Sequence, residues 1–403
     1  MELIQYLLII TLFTPVIGQL VRLKFLGGLT VITLTDILVI IITVVSLFYL
    51  LAIKKSLKLT QNTVIPVIIF SAVALASNLL ATTYLPYKDV VIGTFFLIRF
   101  VLLFFISQIV VNVIPKDKVA NWVNLILFFG ALFIFLGFTQ LIFYPDLTAL
   151  TAYGWDPHQR RIVSTFLDPN YAGFIYVITF TLATSYLLFK SVVGKIAIYT
   201  YLSIATLSLV ATVLTFSRSS YLALLVSIFV ISAIKSYKLF ILMVVLISTM
   251  LILVPQARLR IIGAISIDDT SRARIQSWEN AIFIFQKNPV FGVGFNTYRF
   301  TQVRYDLFSP DNPLVGNSGS GSDSSLLLIA ATTGVVGLLA FLVLMLSVLK
   351  ELFKKARKNP ISLAALAIFV ALLFHTQFVN SFFYPQIILV VWFIVGLAQS
   401  YDS

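Results

Sequence analysis

Long apolar runs with few charges are the feature that most limits how this chain of 403 residues can fold. Hydrophobic residues make up 60% of it and charged residues 11%, whereas soluble domains have about 45–50% and about 25%. Its 36 Phe and 17 Tyr need a covering of lipid rather than water. The composition therefore excludes a soluble enzyme, a disordered chain and, since Cys is absent, a disulfide scaffold.

The apolar runs are long enough to cross a bilayer as helices, which takes about 20 residues for about 30 Å of hydrocarbon. We predict an all-α polytopic integral membrane protein with about twelve transmembrane helices and one large extracytoplasmic loop domain. Spans one to nine occupy 1–254, the loop with its short helices 255–323, and spans ten to twelve 324–403. One re-entrant element could replace two spans near Ser217. The predicted spans are 3–20, 29–53, 63–81, 89–114, 119–145, 169–189, 195–216, 219–234, 237–254, 324–349, 361–376 and 382–399.

The distribution of Lys and Arg predicts the orientation. With a cytoplasmic N-terminus, the short inner loops hold 14 Lys and Arg and the short outer loops 6, as the positive-inside rule requires. Both termini then lie in the cytoplasm, and the protein is expected in the cytoplasmic (inner) membrane. The net charge of +13 is explained by basic residues beside anionic lipid, so the bilayer is the expected partner and nucleic acid is not.

The outer segment carries the most distinctive residues, because its cations are six Arg and one Lys. Arg is preferred over Lys where a planar phosphate or carboxylate must be gripped. An apolar stripe over 271–285 predicts a helix capped near Asp268, on which Arg274 and Trp278 share a face. A Gly-rich turn follows at 288–296, and a polar Gly/Ser loop ends at Asp323. Either Asp323 or Ser322 could cap span ten.

Three other arginines, one within a span and two in a short loop, each allow two interpretations, one structural and one functional. Arg99 lies within span four and is either paired with Asp36 or in contact with a diphosphate. Arg160 and Arg161 lie in an aromatic loop that is either an interfacial anchor or a platform for a glycan. His375 lies in an apolar span, where a packed core residue is expected. No Gly-rich phosphate loop and no metal-ligand spacing occurs in the sequence.

Several motifs, in this order and spacing, resemble the O-antigen ligase/polymerase superfamily. The resemblance extends over about residues 155–345. The matching stretches are Arg161…Phe166-Leu167-Asp168-Pro169-Asn170, Phe216-Ser217-Arg218-Ser219-Ser220, Arg274-x-x-x-Trp278, Asn288-Pro289-x-x-Gly292-x-Gly294, Asp323-Ser324-Ser325-Leu326-Leu327 and Gly334-x-x-Gly337.

The resemblance implies a GT-C-like membrane glycosyltransferase that acts on the extracytoplasmic face. Its donor is a glycan linked to undecaprenyl pyrophosphate, its acceptor is a second glycan, and it uses neither a metal nor another cofactor. Arg218 and Arg274 would grip the diphosphate and Asp323 would serve as general base. The further candidates for substrate binding are Arg272, Arg161, Arg160, Arg99 and Trp278.

Three functions remain open at this point. Polymerases extend a lipid-linked repeat unit, and ligases send the glycan to the lipid A core. The ligases typically have His where this chain has Asp323, which favours a polymerase. A transporter or flippase for lipid-linked glycans is the third possibility, although the chain lacks the repeated halves typical of transporters. Chain-length regulator and flippase proteins are the further partners that this setting suggests.

Overall fold

The computed structural model describes residues 1–25, 30–189, 195–265, 268–307 and 321–401. Fifteen α-helices lie within these ranges, and about 79% of the structure is helical. The sequence-based expectations for the polar loop at 308–320 concern residues outside these ranges. The helices are α1 (Glu2–Ile17), α2 (Leu34–Phe48), α3 (Gln61–Ala81), α4 (Tyr87–Val113), α5 (Val119–Phe143), α6 (Pro169–Leu187), α7 (Lys195–Leu214), α8 (Arg218–Ile234), α9 (Tyr237–Leu253), α10 (Pro255–Ile265), α11 (Asp269–Lys287), α12 (Tyr298–Arg304), α13 (Ser325–Ala356), α14 (Pro360–His375) and α15 (Pro385–Ser400).

Each of the twelve predicted spans corresponds to a helix, and α7 and α8 are separate helices rather than one re-entrant element. By length and composition, however, only six helices in the described ranges are long and apolar enough to cross a membrane. The prediction of about twelve spans is therefore supported only as a multi-pass helical membrane protein. Helices α14 and α15 have 16 residues each, or about 24 Å, and most of their residues are buried inside the bundle.

The helical fold, which agrees with the all-α prediction, includes one short β element, a two-stranded antiparallel sheet that lies between α1 and α2 in the chain. Strand β1 (Arg22–Phe25) pairs with β2 (Thr30–Thr33). The second strand is Thr-Val-Ile-Thr, and four β-branched residues in a row favour an extended backbone. This run is apolar as well as β-branched, so the hydropathy pattern placed it at the start of predicted span two, which began at residue 29.

The connecting segments collect at two ends of the bundle. At one end Gln19 donates a hydrogen bond to Tyr384, and Arg304 donates one to the carbonyl of Tyr84. We call this the site end, because α10, α11 and α12 also lie there. At the other end Lys54 donates to the carbonyl of Asn112. These contacts agree with the order of the predicted spans, in which successive connecting segments lie at opposite ends of the bundle. Which end faces the cytoplasm stays a prediction.

Helix α13 is broken at Gly334, where the backbone has φ +66° and ψ −168°. The turn after α11 fills the break. Its Val293 and Gly294 N–H groups donate to the carbonyls of Ala331 and Thr332 at 3.1 and 2.9 Å. Backbone groups freed by a helix break cannot remain unpaired in a lipid environment, and this turn satisfies them. The glycine motifs at 288–296 and at Gly334 therefore join the segment that follows α11 to the bundle.

Candidate active site

Four helices begin close together at the site end. Their N-caps are Asp168, Ser217, Asp268 and Ser324, each of which accepts a backbone N–H of its own helix. The starts of α6 and α8 are joined by a hydrogen bond of 2.7 Å from the Ser217 hydroxyl to the side-chain oxygen of Asn170. Helix N-termini carry partial positive charge and unpaired N–H groups. Their convergence makes this end of the bundle favourable for an anion.

The first of two adjoining cavities has a volume of about 410 Å³, and we call it the carboxylate cavity. Its acidic side chains are those of Asp156, Asp168 and Asp323, and its basic side chain is that of Arg274. Aromatic rings and amides complete the wall. Within the described residues, no group of three His, Cys, Asp or Glu is arranged to hold a metal ion. The remaining lining residues are Gly154, Trp155, His158, Leu167, Asn170, Tyr171, Thr270, Ala273, Gly321, Ser322, Phe378, Val379, Asn380 and Tyr384.

The second cavity, of about 330 Å³, lies between α8 and α11, and we call it the arginine cavity. Arg218 and Arg274 supply its charge. The rest of its wall is largely apolar. Arg274 and Phe378 line both cavities, so the two spaces adjoin at these side chains. The other residues around the arginine cavity are Ser219, Leu222, Ser271, Ile275 and Trp278.

Arg218 already has an anionic partner. Its guanidinium binds both carboxylate oxygens of Asp268, one at 3.0 Å, and donates to the Ser271 hydroxyl at 2.9 Å. The Arg218 side chain is only 15% exposed. The side-chain hydrogen bond from Arg218 is the main reason why the pKa of the Asp268 carboxyl lies well below its usual range. A bound diphosphate would therefore have to compete with Asp268 for this guanidinium.

Arg274 is in the opposite situation. No ion-pair partner lies within 4 Å of its guanidinium among the residues that the structure describes. Burial lowers the pKa of Arg274, and the charge of Arg218 lowers it further, whereas Asp323 and Asp168 raise it. An arginine remains charged under all these influences. Arg274 is thus a partly buried cation, lying between two cavities, that is available to an incoming anion.

Asp323 does not cap span ten, which corrects the expectation that it or Ser322 would do so. The cap of α13 is Ser324, whose hydroxyl accepts the N–H of Leu327. The backbone N–H of Asp323 instead donates to the Ser277 hydroxyl at 3.0 Å. This contact holds the start of α13 against α11 and leaves the carboxylate to line the cavity.

Burial raises the pKa of the Asp323 carboxyl to about 6, and the charges of Asp168 and Asp156 also raise it, whereas Arg274 lowers it. A carboxyl with this pKa is mostly ionised at pH 7 yet accepts a proton readily, which is the property required of a general base. The environment of Asp323 is therefore suited to acid–base chemistry.

The other predicted substrate contacts are placed differently. Arg161 donates to the carbonyls of Thr215 and Phe216 at 2.8 and 3.1 Å, so it holds the turn between α7 and α8. It lines a third cavity, together with Asp268. Arg160 and Arg272 are exposed outside the carboxylate and arginine cavities, and Arg272 is 73% exposed.

Arg99 lies apart from these cavities. It forms an ion pair with Asp36 at 2.8 Å and donates to the carbonyl of Val31 at 2.8 Å. The two residues line a separate, largely apolar cavity. Of the two interpretations of Arg99, the structure shows the pairing with Asp36.

Aromatic residues and histidines divide between wall and core. Trp278 faces the arginine cavity beside Arg274, as the helical spacing predicted. Phe295 and Tyr298 are buried in the packing. His375 is fully buried, stacks on Phe174 with ring centroids 4.7 Å apart, and forms a 2.7 Å hydrogen bond with Ser381. The prediction of a core histidine is confirmed.

Sequence reasoning assigned no role to four residues that line the carboxylate cavity: Asp156, Asp168, Asn380 and Tyr384. A signal was present for one of them, since Asp168 followed by Pro is a typical helix start. The other three come from loops whose mutual approach depends on the whole bundle. No local pattern identifies them.

The fold and its site define a class, namely a multi-pass helical membrane protein with a cationic and acidic cavity pair at one end. Residues 203–342 match the family model described as O-antigen ligase, which covers about a third of the chain. The match supports the O-antigen ligase/polymerase superfamily and confirms the resemblance drawn from the motifs. No curated protein matches the chain. The family indicates a ligase- or polymerase-type glycosyltransferase activity.

Proposed function

We propose that this protein is a polymerase-type glycosyltransferase. It transfers a glycan from undecaprenyl pyrophosphate to a lipid-linked acceptor repeat unit on the extracytoplasmic face of the membrane. The observation that carries the proposal is the position of Arg274 between the two cavities, with Arg218 on one side and Asp323 on the other. One space then holds the leaving group and the other the acceptor.

The arginine cavity suits a polyprenyl diphosphate. Arg218 and Arg274 offer guanidinium groups that bind phosphate oxygens in pairs, and α8 begins at Arg218, so its N-terminal dipole points to the same place. Leu222, Ile275 and Trp278 give the cavity an apolar side for the first part of the prenyl chain. Cationic and apolar walls together match a lipid diphosphate better than a free phosphate.

Glycosyl transfer requires two events at the anomeric carbon of the donor. The acceptor hydroxyl attacks this carbon while its proton passes to Asp323, and the bond from carbon to the diphosphate oxygen breaks with its electron pair on that oxygen. Arg274 and Arg218 stabilise the charge that develops on the leaving diphosphate. Base and leaving group lie in different cavities on either side of Arg274, an arrangement that favours inversion at the anomeric carbon.

The Arg218–Asp268 ion pair belongs to the state of the protein before the donor binds. Asp268 occupies the same guanidinium edge that a diphosphate would use. Donor binding then replaces one anionic partner of Arg218 with another. The guanidinium is not left buried and unpaired, which would cost about 3–5 kcal/mol. Arg274 makes the first contact with the diphosphate, since no such exchange is required there.

A ligase that uses the lipid A core is the first alternative, and a non-enzymatic transporter or flippase for lipid-linked glycans the second. The aspartate at 323 favours the polymerase over the ligase, since the ligases typically have His there. The grouping of Asp323, Arg274 and Arg218 at one end of the bundle favours an enzyme, because a transporter is expected to bind its substrate near the midplane between repeated halves.

Surface glycan from a deletion strain, separated on gels, tests the proposal. If the protein is a polymerase, the deletion strain should carry single repeat units on the lipid core and no ladder. The wild-type chain should restore the ladder, and Arg274→Lys should not. Arg258→Lys, an exposed position on α10, is the matched control and should restore the ladder. In the deletion strain, a ladder that remains on the polyprenyl carrier would establish a ligase. Loss of all exported repeat units would establish a flippase.

A further inference from the structure

We infer that Asn170 and Asn380 bind the acceptor sugar, each donating a hydrogen bond from its side-chain NH2 group to a hydroxyl oxygen of that sugar. Both side chains line the carboxylate cavity. This inference rests on the proposed function, since it concerns the acceptor of that reaction. It gives the two amides a role that neither the family match nor the motifs assign.

Hydroxyl groups at the start of α8 fix the side chain of Asn170. The backbone N–H of Ser220 donates to the Ser217 hydroxyl at 3.3 Å. That hydroxyl donates its own proton to Oδ1 of Asn170 at 2.7 Å. A backbone N–H can only donate, so it sets the direction of this short chain of hydrogen bonds. The amide oxygen of Asn170 is therefore the acceptor, and its NH2 group is left for another partner.

The side chain of Asn380 is fixed in the same way at the start of α13. The backbone N–H of Phe382 donates to the Thr376 hydroxyl at 3.3 Å. The Thr376 hydroxyl donates to the Ser325 hydroxyl, which in turn donates to Oδ1 of Asn380 at 2.8 Å. Ser325 and Thr376 are buried, so this chain of hydrogen bonds is shielded from water. Its direction again makes the amide oxygen the acceptor.

The two NH2 groups are available to a ligand. Neither of them donates a hydrogen bond to any of the residues that the structure describes. The amide nitrogen of Asn380 lies 3.7 Å from the place that a Cβ would take on Gly321, two residues before Asp323. An amide donor that lines a cavity without a protein acceptor can be satisfied by an oxygen of the ligand.

An alcohol suits a wall that combines such donors with a carboxylate. Ionised Asp323 can only accept a hydrogen bond, and an amide NH2 group can only donate one. A sugar hydroxyl does both at once, because its oxygen accepts the amide N–H while its proton is directed to the carboxylate. The second lone pair of that oxygen then stays free to attack the anomeric carbon of the donor.

The rest of the wall has the composition of a sugar site. Tyr171 and Tyr384 are stacked with ring centroids 4.0 Å apart, and Trp155 lies in the same wall. Rings of this kind can pack on the apolar face of a sugar. The volume of about 410 Å³ lies within the range of about 300–1,000 Å³ that is usual for small-molecule sites.

The experiment measures binding of the repeat-unit oligosaccharide, released from its polyprenyl carrier by mild acid so that no diphosphate is present. Purified protein in lipid nanodiscs is titrated with this probe. Asn170→Ala and Asn380→Ala should each weaken its binding about three- to tenfold, the usual effect of losing one hydrogen bond. Asn121→Ala, at an exposed position on α5 outside both cavities, is the matched control and should bind the probe as the wild type does.

Monodeoxy forms of the oligosaccharide, each lacking one hydroxyl of the terminal sugar, show whether the contact is direct. We expect one form to bind the wild type more weakly than the complete probe does, and to bind Asn380→Ala as well as the complete probe does. A second form should behave in this way with Asn170→Ala. An asparagine that only supports the fold would instead lower the affinity for every form by the same factor.

Donor binding and thermal unfolding are measured on each variant to establish that it is folded. Wild-type affinity in both alanine variants would overturn the inference. So would a series of deoxy forms that all bind the wild-type protein as tightly as the complete probe, a result that needs no variant. A transfer assay on the same preparations tests the proposed function separately. Transfer without these losses of affinity would refute only the acceptor contacts, and the losses without transfer would refute only the proposed reaction.

Discussion

Asp323→Asn is the substitution that best separates catalysis from structure at this site. Ser324 is the helix cap of α13 and the backbone N–H of Asp323 bonds Ser277, so asparagine at 323 preserves both contacts. It cannot accept the proton of the acceptor hydroxyl. General-base assistance accounts for about 10²–10⁴-fold in rate. We expect kcat to fall by about that factor while the variant inserts in the membrane and binds the donor.

The pH dependence gives an independent magnitude for the same group. With a pKa of about 6, the Asp323 carboxyl is about nine-tenths ionised at pH 7 and about one-tenth ionised at pH 5. The base is the ionised form, so the rate should fall about tenfold between these two pH values, with the midpoint near pH 6. The residual activity of Asp323→Asn should lack this acidic limb.

The assay is transfer of a radiolabelled glycan from the polyprenyl diphosphate to a lipid-linked acceptor in nanodiscs. Binding of the donor and thermal unfolding are measured on the same preparations. Wild-type kcat in Asp323→Asn, or an acidic limb that survives the substitution unchanged, would refute the assignment of Asp323 as the base.

Further substitutions test the arginine pair, the Arg218–Asp268 ion pair, the break in α13 and the orientation in the membrane. Arg218→Lys and Arg274→Lys keep the charge but lose the paired N–H geometry; in donor titrations each should weaken binding about tenfold or more. Asp268→Asn removes the competing anion, so donor affinity should rise severalfold, while asparagine still caps α11; unchanged affinity would show that the ion pair does not compete. Gly334→Ala places a Cβ about 2.1 Å from the Val290 carbonyl oxygen at φ +66° and should destabilise the fold by at least ~1–3 kcal/mol, read as a lower melting temperature. A single cysteine at Glu279, in a chain with none, should react with an impermeant maleimide in cells with a permeabilised outer membrane; reaction only after lysis of the inner membrane would reverse the topology.

The sequence was sufficient where the relevant physics is local. Apolar runs located all twelve bundle helices, and the acidic start at Asp268 located α11. The spacing of Arg274 and Trp278 predicted that they share a face, and both line one cavity. These features depend on hydropathy, capping and helical periodicity over a few residues.

Pairings across the chain were beyond reach of the same reasoning. Asp268 lies 50 residues from Arg218, and nothing near either residue indicates that they form an ion pair. The Gly-rich turn at 288–296 and Gly334 were recognised separately, but their fit depends on a broken helix whose free backbone groups need this turn. The cap of α13, Ser324, lies one residue beyond Asp323 and two beyond Ser322, the two predicted candidates, and all three are good capping residues.

Reconstituted transfer is the measurement that tests the central claim most directly. Purified protein in nanodiscs is supplied with a glycan on undecaprenyl pyrophosphate and a lipid-linked acceptor, and free undecaprenyl pyrophosphate and the extended glycan are both quantified. The account predicts one molecule of undecaprenyl pyrophosphate released per glycan unit transferred, with both products reduced at least a hundredfold in Asp323→Asn. Equal yields of both products from the wild type and this variant, or no transfer by the wild type, would contradict it.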